Sequence, residues 1–451
     1  MLLALMSVKT DAGTIGDLTY EIADGQVAIT DCSQSAEGEL VIPAEVEGLP
    51  VTSIGDSCFW NCSKLTSLKL PDAVIGIGNS AFWYCTSLTS IILPDSLESI
   101  GNGTFTGCSE LNSIIIPIGV TSIADQAFER CSKLTSVKLP EGLLMIGVQS
   151  FRNCASLQTI NIPSSVANIK FGAFDGCTSL TSITVPDSVT SLGGAAFFNC
   201  SSLTNISISS GITEINDSTF TGCSNLISIS VPEGVTRIGD WAFMECTNLK
   251  SISIPTSLTS IGIRCFELCE SLTAIDLGDN ITKIPERAFQ QCVSITSINI
   301  GSNVVSIEPK AFLSCTNLRS ISIPDSATDI APGVLGGCYS LETVIVPSTF
   351  HTCAEAQRIG GDATRDLWFH GRYTTHSNNT QPPTSPTIQP SIRMAPVIMV
   401  QGEEGSVKTI EVAESPDGPW QFWMDVTATA SGVAITDLDA QAHKRFYRVR
   451  E

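Results

Sequence analysis

Thirteen of the seventeen cysteines stand 23 residues apart, at Cys62, Cys85, Cys108, Cys131, Cys154, Cys177, Cys200, Cys223, Cys246, Cys269, Cys292, Cys315 and Cys338. A fixed period of this length means one structural unit copied end to end, each copy burying its apolar face only against its neighbours. Three residues before each cysteine stands a phenylalanine, from Phe59 through Phe312, and only the last copy departs with Leu335. The two registers agree, so the chain is an array of thirteen units and not a single compact core.

One unit reads Leu65-x-x-Leu68-x-Leu70-Pro71, then Val74, Ile77, Phe82 and Cys85, after which Leu88 restarts the pattern. That leading motif at a period of 20–29 residues is the leucine-rich-repeat signature. In Thr66-Ser67-Leu68-Lys69-Leu70 the alternation predicts a short strand with Leu68 and Leu70 inward and Ser67 and Lys69 outward. Pro71 lacks an N–H and ends the ladder. A turn and a second extended stretch follow, such as Val120-Thr121-Ser122-Ile123, whose ends pack inward. The segment from Gly55 to Cys62 carries an Asp before Phe and Cys at near-helical spacing, so one short helical or 3₁₀ turn is expected there. The fold class is therefore a leucine-rich-repeat solenoid, with a parallel β-sheet on one face and short helical or 3₁₀ turns on the other.

The boundaries follow from where the pattern starts and stops. Residues 1–13 open with Met1-Leu2-Leu3-Ala4-Leu5-Met6, too short for a signal-peptide core and without a basic leader, and read as a remnant of an export signal or a frayed terminus. Residues 14–46 contain two alternating strands around Asp24-Gly25 and a degenerate first strand ending at Ile42-Pro43, a cap for the first coil. The repeats occupy 47–347, and 348–373 read as a C-terminal cap. Residues 374–391 have the Ser, Thr, Asn and Pro composition of a mobile linker. Beyond it, 392–451 read as a small β-sandwich-like domain with strands near 392–400, 407–413, 420–427 and 445–450, its bulk supplied by Trp420, Phe422, Trp423, Phe446 and Tyr447.

Charge excludes one class of partner. Lys plus Arg number 24 against 45 Asp plus Glu, a balance of −21 that repels nucleic acid and anionic lipid alike. No run approaches the ~20 apolar residues of a transmembrane helix.

Catalysis finds little support. The four histidines, His351, His370, His376 and His443, all lie outside the repeats, and no phosphate-binding glycine motif or nucleophile elbow appears. The carboxylates Asp72, Asp95, Glu141, Asp187, Glu233 and Asp325 recur as turn residues. The ladder cysteines of adjacent coils point in parallel, which does not suit a disulfide, so they read as reduced, buried small hydrophobes. Cys58 with Cys62 and Cys265 with Cys269 stand four apart, a spacing that could clasp a metal, but no histidine or third cysteine completes a ligand set. Cys32 and Cys353 lie in opposite caps, about 60 Å apart by strand spacing. No enzyme activity, cofactor or metal is expected.

What remains is surface. The outward strand column runs Ser67, Ser90, Ser113 and Ser136 onward to Thr343 and is almost entirely hydroxyl-bearing. It suits a partner strand, a glycan or ordered water, and equally suits a curved sheet that merely needs small residues. The column just after the core phenylalanine reads as solvent-facing, with Thr106, Glu129, Arg152, Asp175 and Gln290 in later coils. At its start stand Trp60 and Trp83, with Tyr84 beside them, and stacked aromatics are costly to leave in water. Either the N-terminal cap folds over them, or they form a hot spot for a protein or glycan partner.

The combination Leu249-Lys250-Ser251-Ile252-Ser253-Ile254-Pro255 with Ile123-Ala124-Asp125-Gln126-Ala127-Phe128 closely resembles the BspA-like class of leucine-rich repeats over roughly residues 39–347. The entry Gly48-Leu49-Pro50-Val51-Thr52-Ser53-Ile54-Gly55 is similar to that family's usual beginning, and Arg445-Phe446-Tyr447-Arg448-Val449 resembles the last strand of small β-rich domains on exported bacterial proteins. The resemblance implies an exported or cell-surface protein that binds a protein or glycan by its repeats, as a monomeric solenoid. Two alternatives stay open: a structural protein whose repeats self-assemble into a surface layer, and a non-catalytic targeting subunit of an enzyme complex.

Overall fold

The computed structural model describes residues 11–349 and 359–360, together with the backbone of five strands between Val397 and Arg450. The chain divides into two compact units, residues 1–374 and 375–451.

Most coils of the array lay down two short strands and a turn segment; at 159–161 the first is extended without forming a strand. The first strand is the one expected from the leading motif, as in Ser90–Ile92, Ser113–Ile115 and Ser136–Lys138, with its middle residue buried and its flanks exposed. The second is the extended stretch after the proline turn, as in Ser99–Ile100, Ser122–Ile123 and Met145–Ile146. Within each ladder they pair in parallel with the same strand of the neighbouring coil, for example Ser113 opposite Ser136 and Ile123 opposite Ile146, and the ladders are interrupted between some coils. A residue therefore always sits beside its counterpart 23 positions away. Where the second strand ends, the next coil passes so close that a Cβ on Gly101 would lie 2.6 Å from the Asn79 amide nitrogen, which accounts for the recurring Ile-Gly pair.

The core is a set of columns. The rings of Phe59 through Phe312 stack with centroids 4.9–5.7 Å apart and planes within 15° of one another. Every described cysteine is buried and unpaired. From Cys85 to Cys338 each ladder thiol donates to the carbonyl of the phenylalanine in the preceding coil at 3.0–3.2 Å. That carbonyl already accepts the N–H of the cysteine in its own coil, as Phe59 does from Cys62 at 3.1 Å. The column therefore asks for a small apolar side chain that can also donate a weak hydrogen bond, and cysteine meets both demands.

The turn segment departs from the helical turn expected of it. Bonds of i to i+3 type do occur, as from the Trp60 N–H to the Ser57 carbonyl and from Cys62 to Phe59. The backbone, however, visits the left-handed region twice per coil, two residues before and two after the phenylalanine, at Ser57 and Asn61, Ser80 and Tyr84, Gly103 and Gly107, and onward. This breaks any helix and turns alternate N–H groups toward the next coil: Ser57, Phe59 and Asn61 donate to the carbonyls of Asn79, Ala81 and Trp83 at 2.7–2.8 Å. A left-handed conformation costs an ordinary residue about 1–2 kcal/mol, and the inter-coil bonds hold it. Alongside, Asp56, Asn79, Asn102 and Asp125 each accept the backbone N–H found 23 residues further on.

Both ends are closed by chain of another kind. Asp11–Ile15, Leu18–Ala23 and Gln26–Cys32 form an antiparallel meander, and Gln26–Cys32 then pairs in parallel with Leu49–Ile54. The strand at Asp11 lies ahead of position 14, where the cap was expected to begin. Gly38–Val41, the degenerate strand, pairs in parallel with Leu65–Lys69. The cap also stands in for a missing coil, because the Cys62 thiol points to the carbonyls of Cys32 and Ser33 at 3.9 and 3.8 Å. At the other end the Leu335 N–H donates to the Ile359 carbonyl at 2.9 Å, and Ile359 is buried.

In the second unit, Val407–Ala413 pairs antiparallel with Gln421–Thr427 and with Phe446–Arg450, while Val397–Val400 pairs with Val433–Thr436, a strand the sequence reading missed. The proposed export remnant at its first ten residues, Cys353, the four histidines, the linker 374–391 and the bulky side chains of the C-terminal domain lie outside the described residues.

Candidate functional site

The column after the core phenylalanine is not the solvent-facing row that its polar residues suggest. Thr106, Glu129, Thr221 and Glu267 are buried there, and Arg152, Asp175 and Gln290 are half-buried. These polar groups find partners along the stack. The Thr106 hydroxyl donates to the Gln126 carbonyl at 2.8 Å. Arg152 bridges Glu129 at 3.6 Å and Asp175 at 3.0 Å. Gln290 donates to Glu267 at 2.8 Å, and Arg264 approaches the same carboxylate at 3.5 Å. Burial raises the pKa of Glu267 and of Asp175, opposed in each case by the neighbouring arginine. The polar members of the column are ties between coils.

Its aromatic members behave differently. Trp60 in the first coil remains 50% exposed. Trp83 and Tyr84 are half-buried, their centroids 5.9 Å apart and their rings tilted by 34°. Both lean on the third coil: a Cβ on Gly103 would come within 3.2 Å of the Trp83 ring, and one on Gly107 within 3.1 Å of the Tyr84 ring. Those two glycines occupy the left-handed positions of that coil, so one residue type serves the turn and makes room for the rings. The Tyr84 hydroxyl accepts a hydrogen bond from Arg130 at 3.0 Å. The rings of Trp83 and Tyr84 are thus seated on the third coil, while Trp60, one coil earlier, keeps half of its surface in solvent.

On the strand face Ser90, Ser113 and Ser136 are exposed and Ser67 is half-buried. Register places Ser67 beside Ser90 and Ser113 beside Ser136. A second outward column, two residues further along each strand, holds Lys69, Ile92, Ile115 and Lys138, all exposed. The sequence reading registered Lys69 alone. The signal was available, because the last outward position of the leading motif holds Thr184, Ser207, Ser230 and Ser253 in later coils, where isoleucine would be out of place.

No group of described residues offers three or more histidine, cysteine or acidic side chains arranged around a common centre. Cys58 and Cys265 occupy the position just before the core phenylalanine, where other coils have Ala81, Ala127 or Ala173, and are buried like those alanines. Burial pushes the ladder thiols from Cys85 to Cys292 up, to about 12 at Cys223 and Cys292. No helix among the described residues is long and apolar enough to cross a membrane.

Comparison with known proteins gives a family and a fold. The model of the BspA type leucine-rich repeat region matches residues 52–179, 144–252 and 236–356. A leucine-rich cell surface protein of Faecalibacterium prausnitzii is 33% identical, with 79% of this chain and 99% of that one aligned at a TM-score of 0.55. A leucine-rich repeat protein of Bacteroides ovatus is 24% identical over 79% of this chain and 99% of its own, at a TM-score of 0.46. The pneumococcal vaccine antigen PcpA is 16% identical over 76% and 82%, at a TM-score of 0.42. No curated protein matches the sequence.

Proposed function

This chain belongs to the BspA-type leucine-rich repeat family, and from that premise we propose that it is an exported or cell-surface recognition protein whose solenoid binds a protein or glycan partner. The observation that carries this reading is where the exterior breaks its own repeat. Inward, every coil is alike. Outward, the coils differ: the first four gather Trp60, Trp83 and Tyr84 on the turn face and isoleucine and lysine beside Ser67, Ser90, Ser113 and Ser136 on the strand face, while Phe171, Trp241 and Tyr339 stand exposed further along. Large side chains held rigid on a preformed surface bind without much loss of conformational freedom. The similarity to a bacterial cell surface protein supports the location.

The test uses the whole chain and the variant Trp60→Ser/Trp83→Ser against immobilised extracellular matrix proteins and a glycan array. Saturable binding to one class of surface is expected, and the variant should lose roughly tenfold or more in affinity. Absence of saturable binding to any protein or glycan, with light scattering showing open-ended self-association, would replace this reading with that of a surface-layer component.

A further inference from the structure

The second outward column of the strand face carries a pattern that neither the fold nor the core requires. From the cap onward it reads Val41, Lys69, Ile92, Ile115 and Lys138. Val41 is 59% exposed and the two isoleucines 66% each, although they stand on adjacent coils whose backbones are tied by the bond from the Asn112 N–H to the Thr89 carbonyl. Register sets Lys69 directly beside Ile92 and Lys138 directly beside Ile115. An apolar pair is therefore bracketed by two ammonium groups, and neither lysine forms an ion pair with any described residue. In a chain with a net charge of −21 this is a local reversal of sign. In the same column further on, Thr184, Ser207, Ser230 and Ser253 are exposed, small and uncharged.

We infer that Lys69, Ile92, Ile115 and Lys138 form a docking site for an extended segment of a partner protein that presents an apolar side chain between two acidic ones. Spacing makes the inference specific. Three inter-strand steps separate the lysines, about 14 Å in all, and in an extended peptide the side chains at i and i+4 lie about 13–14 Å apart on one face, with i+2 midway. A segment of the form acid-x-apolar-x-acid, laid across the coils, brings a carboxylate to each lysine and its central side chain onto the isoleucine pair. The acids Asp72, Asp95 and Glu141 stand past the prolines on one flank and repel such a segment toward the other flank, where the hydroxyls of Ser67, Ser90, Ser113 and Ser136 can donate to it. In the third coil the acid of that flank is replaced by Ile118, 77% exposed, which widens the apolar strip beside Ile115. This inference rests on the reading of the chain as a recognition scaffold and names the chemistry of one partner.

A fluorescent peptide of the form Ser-Glu-Thr-Leu-Thr-Glu-Ser, titrated with the full chain at low salt and followed by anisotropy, tests it. The peptide should bind at least roughly tenfold tighter than its counterpart with lysine in place of both glutamates. Ile92→Ser/Ile115→Ser should lose that binding, and Lys69→Glu/Lys138→Glu should invert the preference in favour of the lysine peptide. All four positions are exposed, so unchanged melting curves confirm that the variants are folded. The proposal is overturned if wild type does not discriminate between the peptides, if the isoleucine variant binds as well as wild type, or if the patch binds phosphatidylserine vesicles in place of the peptide. If the double variants bind the matrix proteins and glycans as wild type does while the peptide fails, the recognition reading stands and this site falls.

Discussion

Two sets of columns run the length of the array, and they obey different rules. Stepping by 23 residues along the inside, one meets phenylalanine twelve times in succession and cysteine thirteen times, each bound to its neighbours in the same way. Stepping along the outside of the first strand, one meets Lys69, Ile92, Ile115, Lys138, Asn161, Thr184 and Ser207. The backbone beneath the two sets is identical, so the difference is not one of fold. The inner residues are fixed by ring stacking and by the Phe carbonyl each thiol must reach. Further along, Asp276 and Asn299 of that column are tied to each other, but Lys69, Ile92, Ile115 and Lys138 answer to no such demand among the described residues, and their selection points outside the chain.

The sharpest way to break the inside is to charge it. Burial raises the ladder thiols well above the range of an exposed cysteine. A folded-state pKa above the unfolded value stabilises fully below the unfolded value, and that stability disappears as pH rises through it toward the folded one. Each such thiol should therefore subtract about 1.4 kcal/mol per pH unit above roughly pH 9. With eleven such thiols, from Cys85 to Cys315, the array should unfold steeply and cooperatively between about pH 9 and 11, which circular dichroism near 218 nm will follow. A melting temperature flat across that interval would mean the thiols are not buried in the protonated form.

The comparison sharpens with a single ring. Phe197→Ala removes a side chain stacked on both faces and should cost about 3–5 kcal/mol by thermal or denaturant unfolding. Ser228→Ala on the outer strand column should change stability by no more than about 0.5 kcal/mol. Equal effects at the two positions would erase the distinction between the columns.

The smallest effect concerns the backbone. Lys310 is exposed and sits in the left-handed region at φ 62°. Lys310→Gly should raise stability by up to about 1 kcal/mol, because glycine adopts that conformation without strain. A loss in melting temperature would show that its side chain matters more than its dihedral angle.

Much of this was legible in the residues. The spacing of Phe and Cys gave the coil, its inward columns and its length; the Asp24-Gly25 turn gave the cap hairpin; the proline after each first strand gave the strand's end. Three things were not legible. The turn segment has the Phe and Cys spacing of a helix, yet its N–H groups are drawn to the next coil, a non-local demand that no single unit reveals. Glu129, Arg152 and Gln290 look like solvated residues, and only stacking shows that each finds its partner one coil away. The aromatic group was visible at Trp60, Trp83 and Tyr84, but its seat on Gly103 and Gly107 depends on which way the rings lean.

The separation between counterparts in successive coils has one more consequence. The stacked rings and the thiol bonds connect each coil to the one beside it, in a pattern that repeats from Phe59 and Cys85 along the array. Removing or duplicating a whole 23-residue unit therefore keeps the Phe stack and the thiol ladder in register, whereas an insertion of any other length shears both at one stroke. The gene for such a chain can change by crossing-over between its own copies and still encode a folded product. The strands of the N-terminal cap pair only with Leu49–Ile54 and Leu65–Lys69 of the array, and that pairing is indifferent to how many coils follow.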